Sequence, residues 1–151
     1  MKSLKRILLV EDSLNDIDLA LEALEEHHLA NEVVVTRDGA EALDYLHRRG
    51  QFAGRDDGDP VVVLLDIKMP KVDGIEVLRQ MKSDAVLRNI PVVMLTSSKE
   101  APDLSACYEL GVNAYVVKPV DFQQFVDAVK QVGVFWAVLN QPPPRAGNGA
   151  R

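Results

Sequence analysis

The chain has 151 residues, of which 47% are hydrophobic and 26% charged, and its 17 basic and 23 acidic residues give a formal net charge of −6. This length fits one domain with a hydrophobic core of its own and leaves no room for a second. The acidic balance argues against a nucleic-acid or anionic-membrane surface, where a basic face is expected.

Two further features narrow the class of protein. A lone cysteine, Cys107, cannot form an internal disulfide, which points to a reducing compartment. The apolar run from Ile7 to Val10 is too short for a cleavable signal peptide, and no longer stretch could cross a bilayer. We therefore expect a cytoplasmic protein without a membrane partner.

The first third of the chain predicts two strand-then-helix units. Arg6 to Val10 is a short aliphatic strand that ends in Glu11 and Asp12. A helical pattern follows, and we interpret its acidic face as solvated surface. The members of that face are Asp16, Asp18, Glu22, Glu25 and Glu26. Glu32 to Thr36 predicts the second strand, and a second helical pattern follows it.

The stretch from Arg49 to Pro60, RGQFAGRDDGDP, interrupts this periodicity. Its glycines, aspartates and proline are typical of a loop, so we expect an exposed and mobile insertion. The DDGD segment could in principle hold calcium, but it lacks the alternate-position oxygen ligands of a calcium loop.

The central strand is the run VVVLLD, from Val61 to Asp66, whose aliphatic residues predict burial on both faces. Two more strands are predicted after it, from Pro91 to Thr96 and from Ala114 to Val117, and a helical pattern precedes each of them. A last helix is predicted from Asp121 to Leu139. Strands alternating with helices predict an α/β fold, a five-stranded parallel sheet with helices on both faces.

We assign residues 1–140 to this one domain and expect the Pro-rich and Gly-rich tail, residues 141–151, to be disordered.

Polar side chains follow four of the five predicted strands, and parallel strands deliver their carboxyl ends to one rim. These residues are Glu11, Asp12, Asp66, Thr96 and Lys118. Each has an ordinary structural explanation when taken singly, as a turn former, a strand former or a surface lysine. Taken together, three carboxylates in one crevice repel one another, and a hard divalent cation would relieve that repulsion. Mg²⁺ suits best because it accepts carboxylates, water and a phosphate oxygen as ligands. With an ammonium and a hydroxyl on the other side, the set predicts a site that receives a phosphoryl group on Asp66.

From Arg6 to about Leu139 the chain resembles the response-regulator receiver domains of two-component signalling. Four motifs carry the resemblance: LLVEDS with Glu11 and Asp12, LLDIKMPKVDG with Asp66, VVMLTSS with Thr96, and AYVVKPVD with Tyr115 and Lys118. The resemblance implies the flavodoxin-like receiver fold with strand order 2-1-3-4-5.

The resemblance also implies roles for the residues of the rim. Asp66 would accept phosphate from a phosphohistidine on a sensor histidine kinase, which makes the protein a phosphoacceptor and not an enzyme with a separate substrate. Glu11, Asp12, Asp66 and the backbone carbonyl of Lys68 would surround Mg²⁺. The peptide bond between Lys118 and Pro119 would be cis.

A conformational switch is implied in the same way. A phosphoryl group on Asp66 would draw the Thr96 hydroxyl toward it and leave space into which Tyr115 swings. The alternative is that Tyr115 is only an aromatic residue at the rim.

The insertion and the last helix resemble those of stand-alone receivers that partner bacterial phytochromes, which makes a phytochrome a possible kinase partner. Phe135 and Trp136 lie beyond Gly133, which costs about 1 kcal/mol relative to alanine within a helix. Two alternatives stay open for them: they pack against a second copy and give a homodimer, or they fold back on their own sheet.

Competing functions fit less well. A phosphatase of the haloacid-dehalogenase kind needs a second acid two residues after its nucleophile, where this chain has Lys68. A flavodoxin-type cofactor site needs amides and hydroxyls after the first strand, where Glu11 and Asp12 would repel a phosphate. The remaining alternative is a receiver-like interaction module that works without phosphorylation.

Overall fold

The computed structural model describes residues 6–26, 32–69, 71–97, 103–112 and 114–133. Five strands and five helices alternate along these residues. The strands are β1 (Arg6–Val10), β2 (Glu32–Thr36), β3 (Val62–Asp66), β4 (Val92–Thr96) and β5 (Ala114–Val117). The helices are α1 (Leu14–Glu26), α2 (Gly39–His47), α3 (Gly74–Ser83), α4 (Asp103–Glu109) and α5 (Phe122–Gln131). Short 3₁₀ turns occur at Gly50–Phe52 and Leu87–Asn89.

All strand pairs are parallel, and the sheet has the order β2-β1-β3-β4-β5. The α/β fold class and the predicted strand order 2-1-3-4-5 are therefore confirmed. The strands β1, β3 and β4 are buried along their whole length. Burial on both faces explains why they consist of continuous aliphatic runs rather than alternating patterns.

Alternate residues of each strand enter two separate cores. One core lies under α1 and α5 and includes Ile7, Leu9, Leu64, Leu95 and Val116. The other lies under α2, α3 and α4 and includes Leu8, Val10, Leu65, Met94 and Cys107. The sheet thus separates a layer of two helices from a layer of three.

The insertion between α2 and β3 is attached to the body of the domain, which corrects the prediction of a mobile loop. The guanidinium of Arg55 lies 3.9 Å from the centre of the Tyr45 ring and donates to the Tyr45 carbonyl oxygen at 2.8 Å. Asp57 forms ion pairs with Arg55 at 2.6 Å and with the buried Arg6 at 3.0 Å. Such long-range charge pairing leaves no periodic pattern in the sequence, which is why composition alone predicted a loose segment.

The last helix is shorter than predicted. α5 ends at Gln131, and Gly133 adopts a φ of 82°, a left-handed conformation that glycine reaches without steric cost. An unbroken helix from Asp121 to Leu139 is therefore wrong. Phe135 and Trp136 lie outside the described residues, as do Pro70 and the tail.

Within the described residues, no helix has the length and apolar character that a membrane span requires.

Candidate functional site

Strand register places Glu11 and Asp66 side by side at the rim. Val10 of β1 pairs with Leu65 of β3, so the next residues, Glu11 and Asp66, lie at the same level along the two strands. Glu11 is 1% exposed and Asp66 is 3% exposed. Two carboxylates with this little solvent around them must be neutralised by a neighbouring cation or by protonation.

Lys118 supplies one such cation. Its Nζ lies 3.2 Å from Oδ1 of Asp66 and 3.2 Å from Oε1 of Glu11. The backbone N–H of Lys118 donates to the carbonyl oxygen of Thr96 at 2.8 Å, and the following peptide bond, to Pro119, is cis. Burial disfavours the ammonium, but the charges of Asp66 and Glu11 outweigh it and raise the pKa of Lys118. Lys118 is therefore a fixed positive charge at the centre of the site.

The alternation of side chains explains why these three groups meet. Asp66 ends β3, and Glu11 and Lys118 directly follow β1 and β5. Counted along their strands, all three have the same parity as the residues that enter the core under α1 and α5. Thr96 has the opposite parity, that of Met94. The charged groups thus gather on one side of the rim, with the hydroxyl of Thr96 on the other side.

The surroundings of Asp66 disfavour the ionised form of its carboxyl group. Burial and the nearby charge of Glu11 raise its pKa to about 7, although Lys118 opposes the shift. A carboxyl group held in this way gains from any further cation that replaces its proton.

An acidic cluster provides a place for that cation. Ligand oxygens of Glu11, Asp12 and Asp66 all lie within 4.8 Å of one another. Oxygen donors from carboxylates are the ligands that Mg²⁺ prefers, and the raised pKa of Asp66 shows that this set has negative charge to neutralise. The residues present therefore fit a hard divalent cation.

The cleft above the cluster has a volume of about 130 Å³. Its lining brings together the predicted site residues Glu11, Asp12, Asp66, Lys68, Thr96 and Lys118, with Ser13 and Ser97 as additional polar neighbours. Tyr115 does not line this cleft. The structure thus gathers all but one of the predicted site residues into a single concavity.

The loop between β3 and α3, which carries Lys68, is held close to Asp66. The N–H of Gly74 donates to the carbonyl oxygen of Ile67 at 2.9 Å. A β-carbon on Gly74 would lie 2.0 Å from the carbonyl oxygen of Asp66, so only glycine permits this approach. Asp73 caps α3 by accepting from the N–H of Glu76 at 3.0 Å.

The segment after Lys118 is fixed by the start of α5. Asp121 caps this helix by accepting from the N–H of Gln124 at 2.9 Å. The amide of Gln124 contacts the Asp121 carboxylate at 3.2 Å and also accepts from the N–H of Val117 at 2.9 Å. The bond from Val117 ties the start of α5 to the end of β5.

The contact between Tyr108 and Tyr115 was not predicted from the sequence. The two rings meet edge to face, with centroids 6.4 Å apart. Tyr115 is half-buried on the face of the sheet under α4, whereas Tyr108 is 48% exposed on α4 itself. The apolar pattern of α4 could identify Tyr108 as a helix residue, but not its strand partner.

Asp16 was also misjudged. The helical pattern of the sequence places it on the solvated face of α1, yet its Oδ2 lies 3.1 Å from Nζ of Lys118. Its position in the first turn, directly after the strand end, brings it over the rim, and no one-dimensional pattern distinguishes it from Asp18.

Comparisons with known proteins agree with this geometry. The family described as the response regulator receiver domain matches residues 7–130. The solved bacteriophytochrome response regulator RtBRR is 63% identical, with a TM-score of 0.83 over 93% of this chain and 85% of that chain. The phosphorylated cyanobacterial phytochrome response regulator RcpA is 43% identical, with a TM-score of 0.71 over 87% of this chain and 93% of that chain.

A third relative adds information on metal binding. The response regulator Rcp1 of Synechocystis sp. is 39% identical over 132 residues, which span 87% of this chain and 88% of the relative. The crystal structure of its Mn²⁺-bound form has a TM-score of 0.72 at 37% identity, over 94% of this chain and 99% of that chain.

Proposed function

The chain belongs to the response regulator receiver domain family, and from this premise we propose that it accepts a phosphoryl group on Asp66 from a sensor histidine kinase. The observation that carries the proposal is the contact of 3.2 Å between Nζ of Lys118 and Oδ1 of Asp66 inside the acidic cluster of Glu11, Asp12 and Asp66. A structural ion pair alone would not need two further carboxylates beside it.

The transfer itself replaces one bond to phosphorus by another. The bond between phosphorus and a donor imidazole nitrogen breaks, and a bond between phosphorus and an Asp66 oxygen forms. Hydrolysis later breaks the new bond and returns the carboxylate. The protein is thus a phosphoacceptor that takes part in both steps, and not an enzyme acting on a separate substrate.

The surrounding residues have distinct parts in this proposal. Glu11, Asp12, Asp66 and the backbone carbonyl of Lys68 would hold Mg²⁺, which neutralises charge on the transferring phosphoryl group. Lys118 neutralises part of the charge that the phosphoryl group adds. Support for a divalent cation comes from the acidic cluster and from the Mn²⁺-bound form of Rcp1.

The proposed output is a change of shape on the face that carries α4 and β5. The Thr96 hydroxyl would turn toward the phosphoryl group, and Tyr115 would move inward from its contact with Tyr108. Thr96 and Tyr115 belong to neighbouring strands that pair in register, Thr96 with Val117 and Met94 with Tyr115. The two side chains therefore occupy diagonal positions on the same face of the sheet, an arrangement that supports the proposed coupling.

Relatives named as phytochrome response regulators suggest the donor. We propose a phytochrome-type sensor histidine kinase as the partner, in the cytoplasm. A homodimer through Phe135 and Trp136 stays a prediction, since these residues lie outside the described ones. Sedimentation at high concentration, with and without phosphorylation, tests it, and a monomer in both states would contradict it.

Intact-mass measurement after incubation with acetyl phosphate tests the phosphoacceptor assignment. We expect the wild type to gain one phosphoryl mass in Mg²⁺ and little in a chelator. Asp66→Asn should gain none, whereas Asp56→Asn, the same change at an exposed position in the insertion, should behave as the wild type. Labelling of the Asp66 variant, or labelling indifferent to metal, would overturn the assignment, and an unlabelled wild type would favour a phosphorylation-independent interaction module.

A further inference from the structure

The ammonium of Lys118 has more carboxylate neighbours than the phosphoacceptor chemistry uses. Besides Asp66 and Glu11, Nζ of Lys118 contacts Oδ2 of Asp16 at 3.1 Å. Asp16 is not a member of the acidic cluster that could hold a metal ion. Its carboxylate thus reaches the site from α1 and contacts the ammonium of Lys118.

The start of α1 fixes Asp16 in this position. The hydroxyl of Ser13 accepts from the backbone N–H of Asp16 at 3.3 Å, and the N–H of Ser13 donates to Glu11 at 3.1 Å. The first turn of the helix is therefore tied to one of the cluster carboxylates. The Asp16 side chain is 27% exposed, so its contact with Lys118 is partly shielded from water.

Binding of a divalent cation creates a conflict that Asp16 can resolve. Without metal, Lys118 neutralises Glu11 and Asp66, the same two carboxylates that a cation needs. When the cation arrives, the ammonium is repelled and gives up part of these contacts. An ammonium left without a partner at this half-buried place would be costly.

We propose that Asp16 is a positioning residue, which holds Lys118 on the α1 side of the site when a divalent cation takes Glu11 and Asp66. The inference rests on the proposed function, because it assumes that the acidic cluster binds Mg²⁺. Asp16 lowers the cost of displacing Lys118 and thereby strengthens cation binding without touching the cation.

A simpler effect must be separated from this one. Any negative charge near the cluster attracts Mg²⁺ through space, whether or not it contacts Lys118. The two effects differ in their dependence on Lys118, so a double-mutant cycle distinguishes them. Asp18 provides a matched control, since it is an exposed aspartate two residues further along the same helix.

The experiment follows backbone amide shifts by NMR during Mg²⁺ titration of the full chain. The variants are Asp16→Asn, Asp18→Asn, Lys118→Met and the double variant with Asp16→Asn and Lys118→Met. We expect Asp16→Asn to weaken Mg²⁺ binding by about three- to tenfold and Asp18→Asn by less than about twofold. In the Lys118→Met background, Asp16→Asn should change the affinity by less than about twofold.

The inference is overturned if Asp16→Asn leaves the Mg²⁺ affinity at the wild-type value, or if it causes the same loss with and without Lys118. Asp16→Glu, which keeps the charge on α1, should restore most of the affinity, and a loss as large as that of Asp16→Asn would also contradict a charge-based role.

Labelling with acetyl phosphate gives a second readout. For Asp16→Asn we expect the Mg²⁺ concentration at half-maximal rate to rise about three- to tenfold, in step with the affinity, while the rate at saturating Mg²⁺ changes less than about twofold. A large fall in the saturating rate with unchanged Mg²⁺ dependence would contradict the positioning role. If the wild type takes no phosphate, the proposed function fails, and the Mg²⁺ titrations still decide whether Asp16 acts through Lys118.

Discussion

The carbonyl oxygen of Asp66 occupies the space that a β-carbon on Gly74 would need, since the two would be only 2.0 Å apart. Gly74→Ala must therefore push the loop that carries Lys68 away from the strand end. We expect a loss of about 1–3 kcal/mol in the free energy of unfolding and weaker Mg²⁺ binding, measured by urea denaturation and NMR titration. Gly54→Ala is the control, because nothing lies within 4 Å of its β-carbon, and equal effects of both changes would contradict the explanation.

The stability of the metal-free protein should depend on pH through Asp66. Burial and the charge of Glu11 raise the pKa of Asp66 to about 7, whereas the unfolded chain has a value of about 4. Between these values the folded state binds more protons than the unfolded state, so the free energy of unfolding falls as the pH rises. Urea denaturation in a chelator should show this fall for the wild type and a smaller one for Asp66→Asn.

Mg²⁺ supplies the check on that prediction. Because the cation favours the ionised carboxylate, saturating Mg²⁺ should flatten the pH dependence of the wild type. Identical slopes for the wild type and Asp66→Asn in the chelator would show that Asp66 is not the titrating group.

Arg55 should be the residue on which the insertion depends. Its side chain is 7% exposed, stacks on Tyr45 and bonds to the carbonyl oxygens of Tyr45 and Gly58. Arg55→Ala removes the stacking on Tyr45, the ion pair with Asp57 and these hydrogen bonds, so we expect a loss of about 1–3 kcal/mol and faster proteolysis between Arg49 and Pro60. Arg49→Ala removes an exposed pair with Asp44 and should cost less than about 1 kcal/mol. Equal protease sensitivity of the two variants would argue against the anchoring role.

Tyr45 allows a complementary test of the same region. Its hydroxyl is buried and has no hydrogen-bond partner among the described residues. Tyr45→Phe removes a polar group that gains nothing from burial, so the free energy of unfolding should stay the same or rise. A loss above about 1 kcal/mol in thermal or urea denaturation would mean that the hydroxyl has a partner after all.

Tyr108 should bias the resting position of Tyr115. The edge-to-face contact between the rings, worth about 0.5–1.5 kcal/mol in such pairs, favours the position of Tyr115 in which it meets Tyr108. In Tyr108→Ala we expect the ring signals of Tyr115 to shift toward those of the phosphorylated wild type before any phosphate is added. Tyr108→Phe keeps the ring and should retain the resting spectrum, whereas unchanged Tyr115 signals in the alanine variant would contradict the coupling.

The strands of the sheet and the residues at its rim could be predicted because short stretches of the sequence identify them. Aliphatic runs define the buried strands, and parallel strands must deliver Glu11, Asp66 and Lys118 to one edge. By contrast, the contact of Asp16 with Lys118 depends on the angle at which α1 leaves the strand. The attachment of the insertion depends on Arg6 and Arg55, which are separated by 49 positions in the chain. Such features follow from three-dimensional packing and have no periodic trace in the sequence.

The alternation of side chains along β5 has a further consequence for how this chain can vary. Lys118 and Tyr115 are an odd number of residues apart, so the strand directs one toward α5 and the other toward α4. Losing or gaining a single residue between them would direct both side chains to the same side of the sheet, where the residue that contacts the phosphoryl group and the residue of the switch would occupy overlapping space. The spacing of these two residues is therefore a constraint on evolution that neither residue imposes alone.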